Sequence, residues 1–193
     1  YRNYNRKIML DNIHQDANSR MDAAVSHTQN DLNKIRTGRA NPEIFDSIVV
    51  DYYGTPTPLK QVSTVSVPEP KLITMQPYEK SLIPLIEKAI LDANLGFTPG
   101  NNGNAILVPI PALSEERRKE LIKFIHKIIE DGKISVRNIR RDALRKIHDY
   151  GKEENESEDE IKGRETELQT ITDNHIKDLE SHQENKEKEL MEV

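Results

Sequence analysis

Apolar residues recur at helical spacing along three long stretches of the chain, and the first of these lies near its start. Over residues 8–36 an apolar side chain returns every three or four positions, while polar residues fill the other faces. This pattern predicts one amphipathic helix of about 28 residues, which ends close to Gly38 and Pro42. The side chains predicted to face the core are Ile13, Ala17, Met21, Ala24, Thr28, Leu32 and Ile35.

The other two helical stretches follow one another at the end of the chain. Residues 112–151 carry an uninterrupted apolar stripe, with Ser114 as the expected N-cap. Residues 158–192 have a weaker apolar face, and Gly163 is expected to fray the first turn of that helix. Three amphipathic helices bury their apolar faces best against one another, so the sequence predicts a three-helix bundle. The apolar face of the third helix is assigned to Ile161, Leu168, Ile171 or Thr172, His175, Leu179, His182 and Leu190.

Between the first and second helices, residues 43–111 change to the pattern of a small mixed domain. Short β-branched and apolar runs are separated by Pro, Gly and Asn, which is typical of strands joined by turns. We expect three to five strands and one helix in this region. The predicted strands lie at 44–53, 62–67, 71–76 and 105–110, and the predicted helix lies at 81–95.

The predicted fold class is α+β, an elongated three-helix bundle with an inserted small β/α/β domain. The bundle is assigned to residues 1–37 plus 112–193 and the inserted domain to residues 38–111. The chain crosses between the two cores near residues 36–41 and 109–112. Because two short crossings make a natural hinge, we expect the inserted domain to swing relative to the bundle.

Charge is unevenly distributed along the chain. The 193 residues carry a formal net charge of −5, with no Trp and only three Phe, which fits an elongated helical protein with much surface. Residues 115–152 sum to +5, whereas residues 153–193 sum to −10. This segregation leaves a basic region available to a polyanion in spite of the acidic total. The absence of Cys excludes disulfides, thiolate metal sites and cysteine nucleophiles.

The basic region forms a stripe along the second predicted helix. At about 100° per residue, Arg137 and Arg140 fall about 60° apart, and the other cations lie beside them. A planar arginine fork suits phosphate, so the stripe predicts contact with the backbone of a duplex or a folded RNA. The alternative is a solvated helix face with ordinary i,i+4 ion pairs, such as Asp142 with Arg145. The basic stripe consists of Lys133, Arg137, Arg140, Arg141 and Arg145, with Arg117 and Arg118 at its start.

Other candidate sites are weaker. Arg36 and Arg39 flank Gly38, where they either place cations beside a flexible joint or stabilise the end of the first helix, and both can hold. The turn at residues 99–103 lacks the Lys-Ser/Thr of a P-loop and is predicted to be a hairpin turn. The six His residues show no metal-type spacing, and no nucleophile–base pair or cofactor fingerprint is present. We therefore predict no catalytic residue, no metal, no cofactor and no enzyme activity.

Four segments carry a resemblance to a known family: KIRTGRANPEIFDSIVVDYYGTPTPLKQVSTVSVPEP, IEKAILDANLGFTPGNNGNAILVPIPALSEERRKEL, VRNIRRDAL and the terminal KEKELMEV. Taken together, they resemble the bacterial type of ribosome recycling factor. The resemblance implies an L-shaped molecule with a three-helix bundle and an inserted β/α/β domain on a two-stranded hinge. It also implies that the protein acts with elongation factor G and GTP to split post-termination ribosomes into subunits, releasing mRNA and deacylated tRNA. The partner, not this chain, would hydrolyse GTP.

The same resemblance assigns roles to individual residues. It implies that the arginines of VRNIRRD face large-subunit RNA, and Arg140 is the strongest single candidate among them. It places the ERRK segment as a supporting contact and the IRTGRA segment at the hinge. The residues assigned to ribosomal RNA are Arg137, Arg140, Arg141, Lys133, Arg145, Arg117 and Arg118, and those assigned to the hinge are Arg36, Thr37, Gly38, Arg39, Pro109 and Pro111.

Partners and location follow from the same assignment. The expected partners are the ribosome and elongation factor G, with the chain itself a monomer. No apolar run approaches the roughly 20 residues that span a bilayer, so no membrane partner is expected. The chain begins with Tyr1 rather than Met, which predicts a trimmed product without any targeting segment. The expected location is the bacterial cytoplasm, or an organellar stroma or matrix after removal of a transit peptide.

Two alternatives from other functional classes stay open at this point. A generic RNA-binding or chaperone-like helical adaptor would use the same basic stripe without specificity for ribosomes. An enzyme would need a site in the inserted domain, and nothing in the sequence favours one.

Overall fold

Three long helices and a region of short strands make up the described chain. The computed structural model describes residues 2–192. It divides into two compact units, one with the chain up to Ile35 and Arg118–Lys188, the other with Arg36–Arg117 and the chain from Glu189 onward. In chain order the elements are α1 (Arg2–Asn33), β1 (Val49–Tyr52), β2 (Thr55–Pro58), α2 (Leu59–Val62), β3 (Ser63–Glu69), β4 (Leu72–Pro77), α3 (Ile83–Asp92), β5 (Gly100–Asn101), β6 (Ile106–Pro109), α4 (Glu115–Glu154) and α5 (Glu158–Met191).

The predicted fold class is confirmed: long helices packed as a bundle accompany a small sheet domain. Helix α1 begins at Arg2 rather than at residue 8. The physical reason lies in two contacts that periodicity does not reveal. The Leu10 side chain is buried, and Arg6 donates to the Glu154 carboxylate at 3.1 Å and to its carbonyl at 3.0 Å. The predicted domain extents stay a prediction.

Apolar stripes on the three long helices form the core of the bundle. Met21 of α1, Val136 of α4 and Leu179 of α5 are completely buried, as the helical spacing predicts. Ser114 caps α4, its hydroxyl accepting a hydrogen bond from the Arg117 amide at 3.2 Å. In α5, Thr172 rather than Ile171 is buried on the apolar face.

Gly132 lies at the tightest point between α1, α4 and α5. A Cβ added there would lie 2.5 Å from Thr28 Oγ1 and 3.3 Å from Leu179 Cδ2. The Thr28 hydroxyl is fixed by a 3.0 Å hydrogen bond to the Ala24 carbonyl, so it has little room to yield. Glycine at this position therefore allows the three helices to approach closely.

We expect Gly132→Ala to lower the free energy of unfolding by about 1–3 kcal/mol, since overpacking outweighs the better helix propensity of alanine. The matched control is Gly163→Ala in α5, where an added Cβ meets nothing within 4 Å. That control should raise stability by about 0.5–1 kcal/mol. Urea denaturation followed by circular dichroism measures both. Stabilisation by both substitutions would contradict the close approach at Gly132.

The second unit contains two antiparallel sheets. Strands β1 and β2 form a hairpin, and the other four strands are ordered β3-β4-β6-β5. Helix α3 covers the apolar core, in which Phe45, Ile73, Ile86 and Ile106 are buried. The predicted hairpin turn near residues 99–103 is confirmed by the pairing of β5 with β6.

Several local predictions in this unit need correction. The described residues contain six strands rather than three to five, and a second short helix, α2. The predicted strand at residues 44–53 is shorter because Pro42–Phe45 forms a 3-10 helix, whose start is capped by the Asn41 side chain. Proline at the first turn of that helix fixes the backbone angle it needs. The sequence alone shows the proline, but it does not show that the 3-10 helix continues as far as Phe45.

Candidate nucleic-acid interface

Three arginines of the basic stripe share the outer face of α4. Arg137, Arg141 and Arg145 are exposed and spaced four residues apart, so each lies about 6 Å along the helix axis from the next. Within residues 2–192 the structure gives neither Arg141 nor Arg145 an ion-pair partner. Arg137 lies 3.2 Å from Glu130, with both side chains about half exposed, and such surface pairs are weak. Exposed Lys119, Lys123 and Lys127 extend the same face toward the start of the helix.

Two other members of the basic stripe lie beside this outer face, on the side of α4 that turns toward α5. The Lys133 ammonium contacts the Glu180 carboxylate of α5 at 3.0 Å, and the Lys133 side chain is only 17% exposed. Arg140 is half-buried on the same side of the helix. The structure therefore brings Arg137, Arg141 and Arg145 together on one open face and places Lys133 and Arg140 at its edge.

The ion pair expected between Asp142 and Arg145 under the alternative interpretation does not form. Asp142 instead accepts a 2.6 Å hydrogen bond from Arg20 of α1 and lies 3.3 Å from Lys146. The hydrogen bond from Arg20 and that from Lys146 lower the pKa of Asp142 below its ordinary value. The stability that this link contributes is therefore fully present above the ordinary pKa of an aspartate. It is lost as the pH falls through the lowered pKa of Asp142. Asp142 thus links two helices and leaves the Arg145 charge available.

An exposed isoleucine lies within the basic face and was not predicted. Ile134 is 46% exposed. It precedes Arg137 by three residues and Arg141 by seven, and these spacings place it on the same side of a helix. That spacing was the signal available in the sequence, because an apolar residue on the face opposite the core stripe departs from the amphipathic pattern. An apolar side chain among arginines suits the sugar edge of a nucleic acid backbone.

Arg117 and Arg118 occupy the first turn of α4. Arg117 is exposed and Arg118 is half-buried. The acidic residues Glu115 and Glu116 share this turn, where the helix dipole favours them. The first turn therefore carries both signs of charge, unlike the outer face farther along the helix.

The crossing segments are fixed at one place by two neighbouring backbone groups. The Ala40 amide donates to the Pro70 carbonyl at 2.8 Å, and the Ile110 amide donates to the Lys71 carbonyl at 2.7 Å. Both carbonyls belong to the turn between β3 and β4, so both crossings are tied to the same hairpin of the second unit. The residues before Ala40 and after Ile110 lie outside this pair of hydrogen bonds.

The predicted hinge residues have distinct environments. Gly38 has a backbone φ of +78°, which favours glycine, and Thr37 is buried. Arg39 forms a 2.9 Å ion pair with Glu192, within the second unit. Arg36 and Pro111 are exposed, and Pro109 is the last residue of β6.

Among residues 2–192, no three His, Asp or Glu side chains converge in a way that could hold a metal ion. No helix in that range is long and apolar enough to cross a membrane. His175 is buried and bridges the Ile171 carbonyl and the Asp22 carboxylate, at 2.7 and 2.6 Å, as a structural link between α5 and α1.

Sequence comparison identifies relatives over nearly the whole chain. The family described as ribosome recycling factor matches residues 28–191. A ribosome-recycling factor of Geobacillus sp. (strain WCH70) is 47% identical over 185 residues, which cover 96% of this chain and 100% of the relative. The chloroplastic ribosome-recycling factor of Oryza sativa subsp. indica is 46% identical over 181 residues, covering 94% of this chain and 68% of the relative.

Two solved structures also match nearly the whole chain. A solution structure of a ribosome recycling factor is 41% identical, with a TM-score of 0.66, and the match covers 95% of this chain and 98% of that one. A second match comes from models for the T. thermophilus ribosome recycling factor and the E. coli elongation factor G bound to the E. coli post-termination complex. That chain is 40% identical, with a TM-score of 0.60 and coverage of 94% and 98%.

Proposed function

The chain belongs to the ribosome recycling factor family, and on that premise we propose that it acts with elongation factor G and GTP on post-termination ribosomes. The family consists of translation factors that are not enzymes. In the proposed reaction the chain splits the ribosome into subunits, with release of mRNA and deacylated tRNA, while the partner hydrolyses GTP. One of the matched structures contains a relative of this chain together with elongation factor G, bound to a post-termination complex, and it supports this choice of partners.

The observation that carries the proposal is the open row of Arg137, Arg141 and Arg145 on α4. Three exposed arginines that follow one another about every 6 Å along the helix axis, with the apolar Ile134 beside the first of them, suit the repeated phosphates of an RNA backbone. Protein carboxylates leave most of this charge uncompensated, so binding large-subunit RNA would release counterions and gain free energy. Arg140 and Lys133 would contribute at the edge of this surface.

The second part of the proposal is a lever. The two crossings are tied to one hairpin at Ala40 and Ile110, which leaves short untied segments on the bundle side of both. We assign the hinge to Arg36, Thr37, Gly38 and Arg39 in the first segment and, at the second crossing, to Pro111 just after the tied Ile110 and to Pro109 just before it, at the end of β6. A GTPase pressing on the inserted domain would turn it about these segments while the bundle stays on the RNA.

The decisive experiment measures subunit splitting by light scattering. Post-termination bacterial ribosomes are mixed with this protein, elongation factor G and GTP, and each component is left out in turn. A fall in scattering that needs all three supports the proposal. Salt-sensitive binding to ribosomes and to unrelated structured RNA, without any splitting in the complete mixture, would favour the generic RNA-binding adaptor instead.

We expect Gly38→Ala to slow splitting several-fold while changing ribosome affinity less than twofold. The left-handed backbone at Gly38 disfavours any other residue, so alanine would restrict the conformations through which the hinge passes. Gly54→Ala is the matched control, because Gly54 has a similar φ of +83° in the β1–β2 turn, away from both crossings. Equal losses of splitting and binding in Gly38→Ala, or equal slowing by both variants, would count against the lever.

The compartment and the oligomeric state are also proposals. The relatives include bacterial and chloroplastic factors, which supports either a bacterial cytoplasm or an organellar stroma or matrix. We propose that the chain acts as a monomer. Analytical ultracentrifugation tests this directly, and a concentration-dependent dimer would contradict it.

A further inference from the structure

A strained and exposed tyrosine marks a second surface, on the β1–β2 hairpin of the second unit. Tyr53 has a φ of +51° and is followed by Gly54 at +83°, so both turn residues adopt the left-handed conformation of a two-residue hairpin. Asn or Asp is the usual first residue of such a turn, and a bulky side chain there is an outlier. Tyr53 is nevertheless 81% exposed, so burial does not explain its presence.

The Tyr53 side chain is held in place by a carboxylate and a second ring. Its hydroxyl donates to Glu79 Oε2 at 3.0 Å, and the Tyr52 hydroxyl donates to Glu79 Oε1 at 3.0 Å. The two rings pack edge to face, with centroids 4.7 Å apart. The hydrogen bonds to Glu79 raise the pKa of Tyr52 and of Tyr53 above the usual range, so both phenols remain donors.

Glu79 carries a negative charge that no cation compensates in the described part of the chain. It is half-buried, and residues 2–192 supply it with two phenol donors but no ion-pair partner. Each carboxylate oxygen has two lone pairs, and each phenol uses one. The carboxylate therefore keeps room for about two further donors.

A cavity of about 320 Å³ lies beside this carboxylate. We call it the tyrosine pocket. Tyr78 forms one wall and is 67% exposed, while Leu82 and Val62 contribute apolar surface. Aromatic rings together with a carboxylate are the combination that attracts an organic cation, because the ring faces are negative and the carboxylate is charged. The lining residues are Tyr52, Thr57, Gln61, Val62, Tyr78, Glu79 and Leu82.

We propose that the tyrosine pocket binds an arginine side chain of a protein partner. A guanidinium group is planar, so it can stack on Tyr52 or Tyr78 while it donates to the free lone pairs of Glu79. Phosphate-bearing ligands are disfavoured, since the Glu79 charge would repel them and Asp51 on the same hairpin is exposed. The inference goes beyond the proposed splitting activity and does not depend on it.

The test uses the full chain with isotope-labelled tyrosine rings and measures their chemical shifts by NMR. The probe is the capped peptide acetyl-Gly-Arg-Gly-amide, and its citrulline counterpart has nearly the same shape without the charge. We expect saturable shifts of Tyr52, Tyr53 and Tyr78 with the arginine peptide, and at least tenfold weaker binding of the citrulline peptide. Equal binding of both peptides, or no saturable shift, would overturn the proposal.

Two variants and a control make the test specific to the pocket. Glu79→Gln keeps the shape of the side chain and should weaken binding of the arginine peptide at least tenfold. The control is Glu69→Gln, which neutralises an exposed carboxylate on β3 and should leave binding of the peptide unchanged. Tyr78→Leu removes an exposed wall with little risk to folding and should weaken binding several-fold. Unchanged binding in both pocket variants would overturn the proposal. So would an oligouridylate that shifts the same rings more strongly than the peptide, since the surface would then bind RNA.

Discussion

Replacing Arg137, Arg141 and Arg145 together by glutamine is expected to weaken ribosome binding about 100- to 1000-fold. Each solvent-exposed contact with a phosphate contributes about 1–1.5 kcal/mol, so the loss of three corresponds to about 3–4.5 kcal/mol. The fold should be unaffected, since all three side chains are exposed and none holds two helices together. Circular dichroism and thermal unfolding of the variant check this.

The salt dependence of binding separates phosphate contacts from a general effect of charge. The slope of log K against log salt should fall by about three for the triple variant, roughly one for each lost phosphate contact. The matched control is the triple variant Lys88→Gln, Lys162→Gln and Lys177→Gln, which removes the same charge from exposed positions off the α4 face. Similar loss of affinity in the two triple variants would show that net charge alone governs binding and would contradict the α4 interface.

The α4 face was largely predictable because helical periodicity fixes directions around an axis. Leu121, Ile125, Val136 and Ile147 are buried as their spacing predicts, and the opposite side must then be exposed. What periodicity cannot give is which cations a neighbouring element neutralises. The partner of Lys133 is Glu180, which lies 47 residues later in the chain and becomes a neighbour only when α5 packs on α4.

Burial of Thr28 and His175 was predicted from their spacing, but two other polar groups inside the bundle were not, for a related reason. His14 and Arg164 are both buried, although a pattern that counts charged residues as exposed assigns them to the surface. A ring nitrogen of His14 lies 3.0 Å from the Arg164 carbonyl, and Arg164 donates to Asp11 at 2.7 Å. Each contact joins residues about 150 positions apart in sequence, so only the folded bundle brings them together.

The second unit shows which short elements a sequence pattern can locate and which it misses. Alternation and turn residues located β4 and β6 to within one or two residues, because both strands are buried and bounded by clear turns. The short helix α2 was missed, since four residues are too few to show a period. Its Leu59 and Val62 are both buried, but Leu59 lies outside the predicted strands and Val62 was assigned to the start of the strand at 62–67.

Replacing Arg164 by methionine is expected to lower the free energy of unfolding by about 1–2 kcal/mol, because the three carboxylates that it leaves are about half exposed and water screens their repulsion. The side chain is 9% exposed and lies within 3.5 Å of the carboxylates of Asp11, Glu160 and Glu167. Burial by itself lowers the pKa of Arg164, but the hydrogen bond to Asp11 and the charge of Glu167 raise it overall, so the cation persists wherever the protein is folded. Methionine fills the same space without the charge, which leaves three carboxylates facing one another across α1 and α5.

Adding Asp11→Asn and Glu167→Gln to Arg164→Met tells whether charge or packing causes the loss. If unbalanced charge is the cause, the triple variant should recover at least half of the lost stability, because only Glu160 of the three carboxylates then stays charged. Lys162→Met is the surface control on the same helix and should change stability by less than about 0.5 kcal/mol. Urea denaturation measures all three. A triple variant as unstable as Arg164→Met would mean that the arginine acts through its shape, by filling the junction of α1 and α5, and that the surrounding carboxylates tolerate one another.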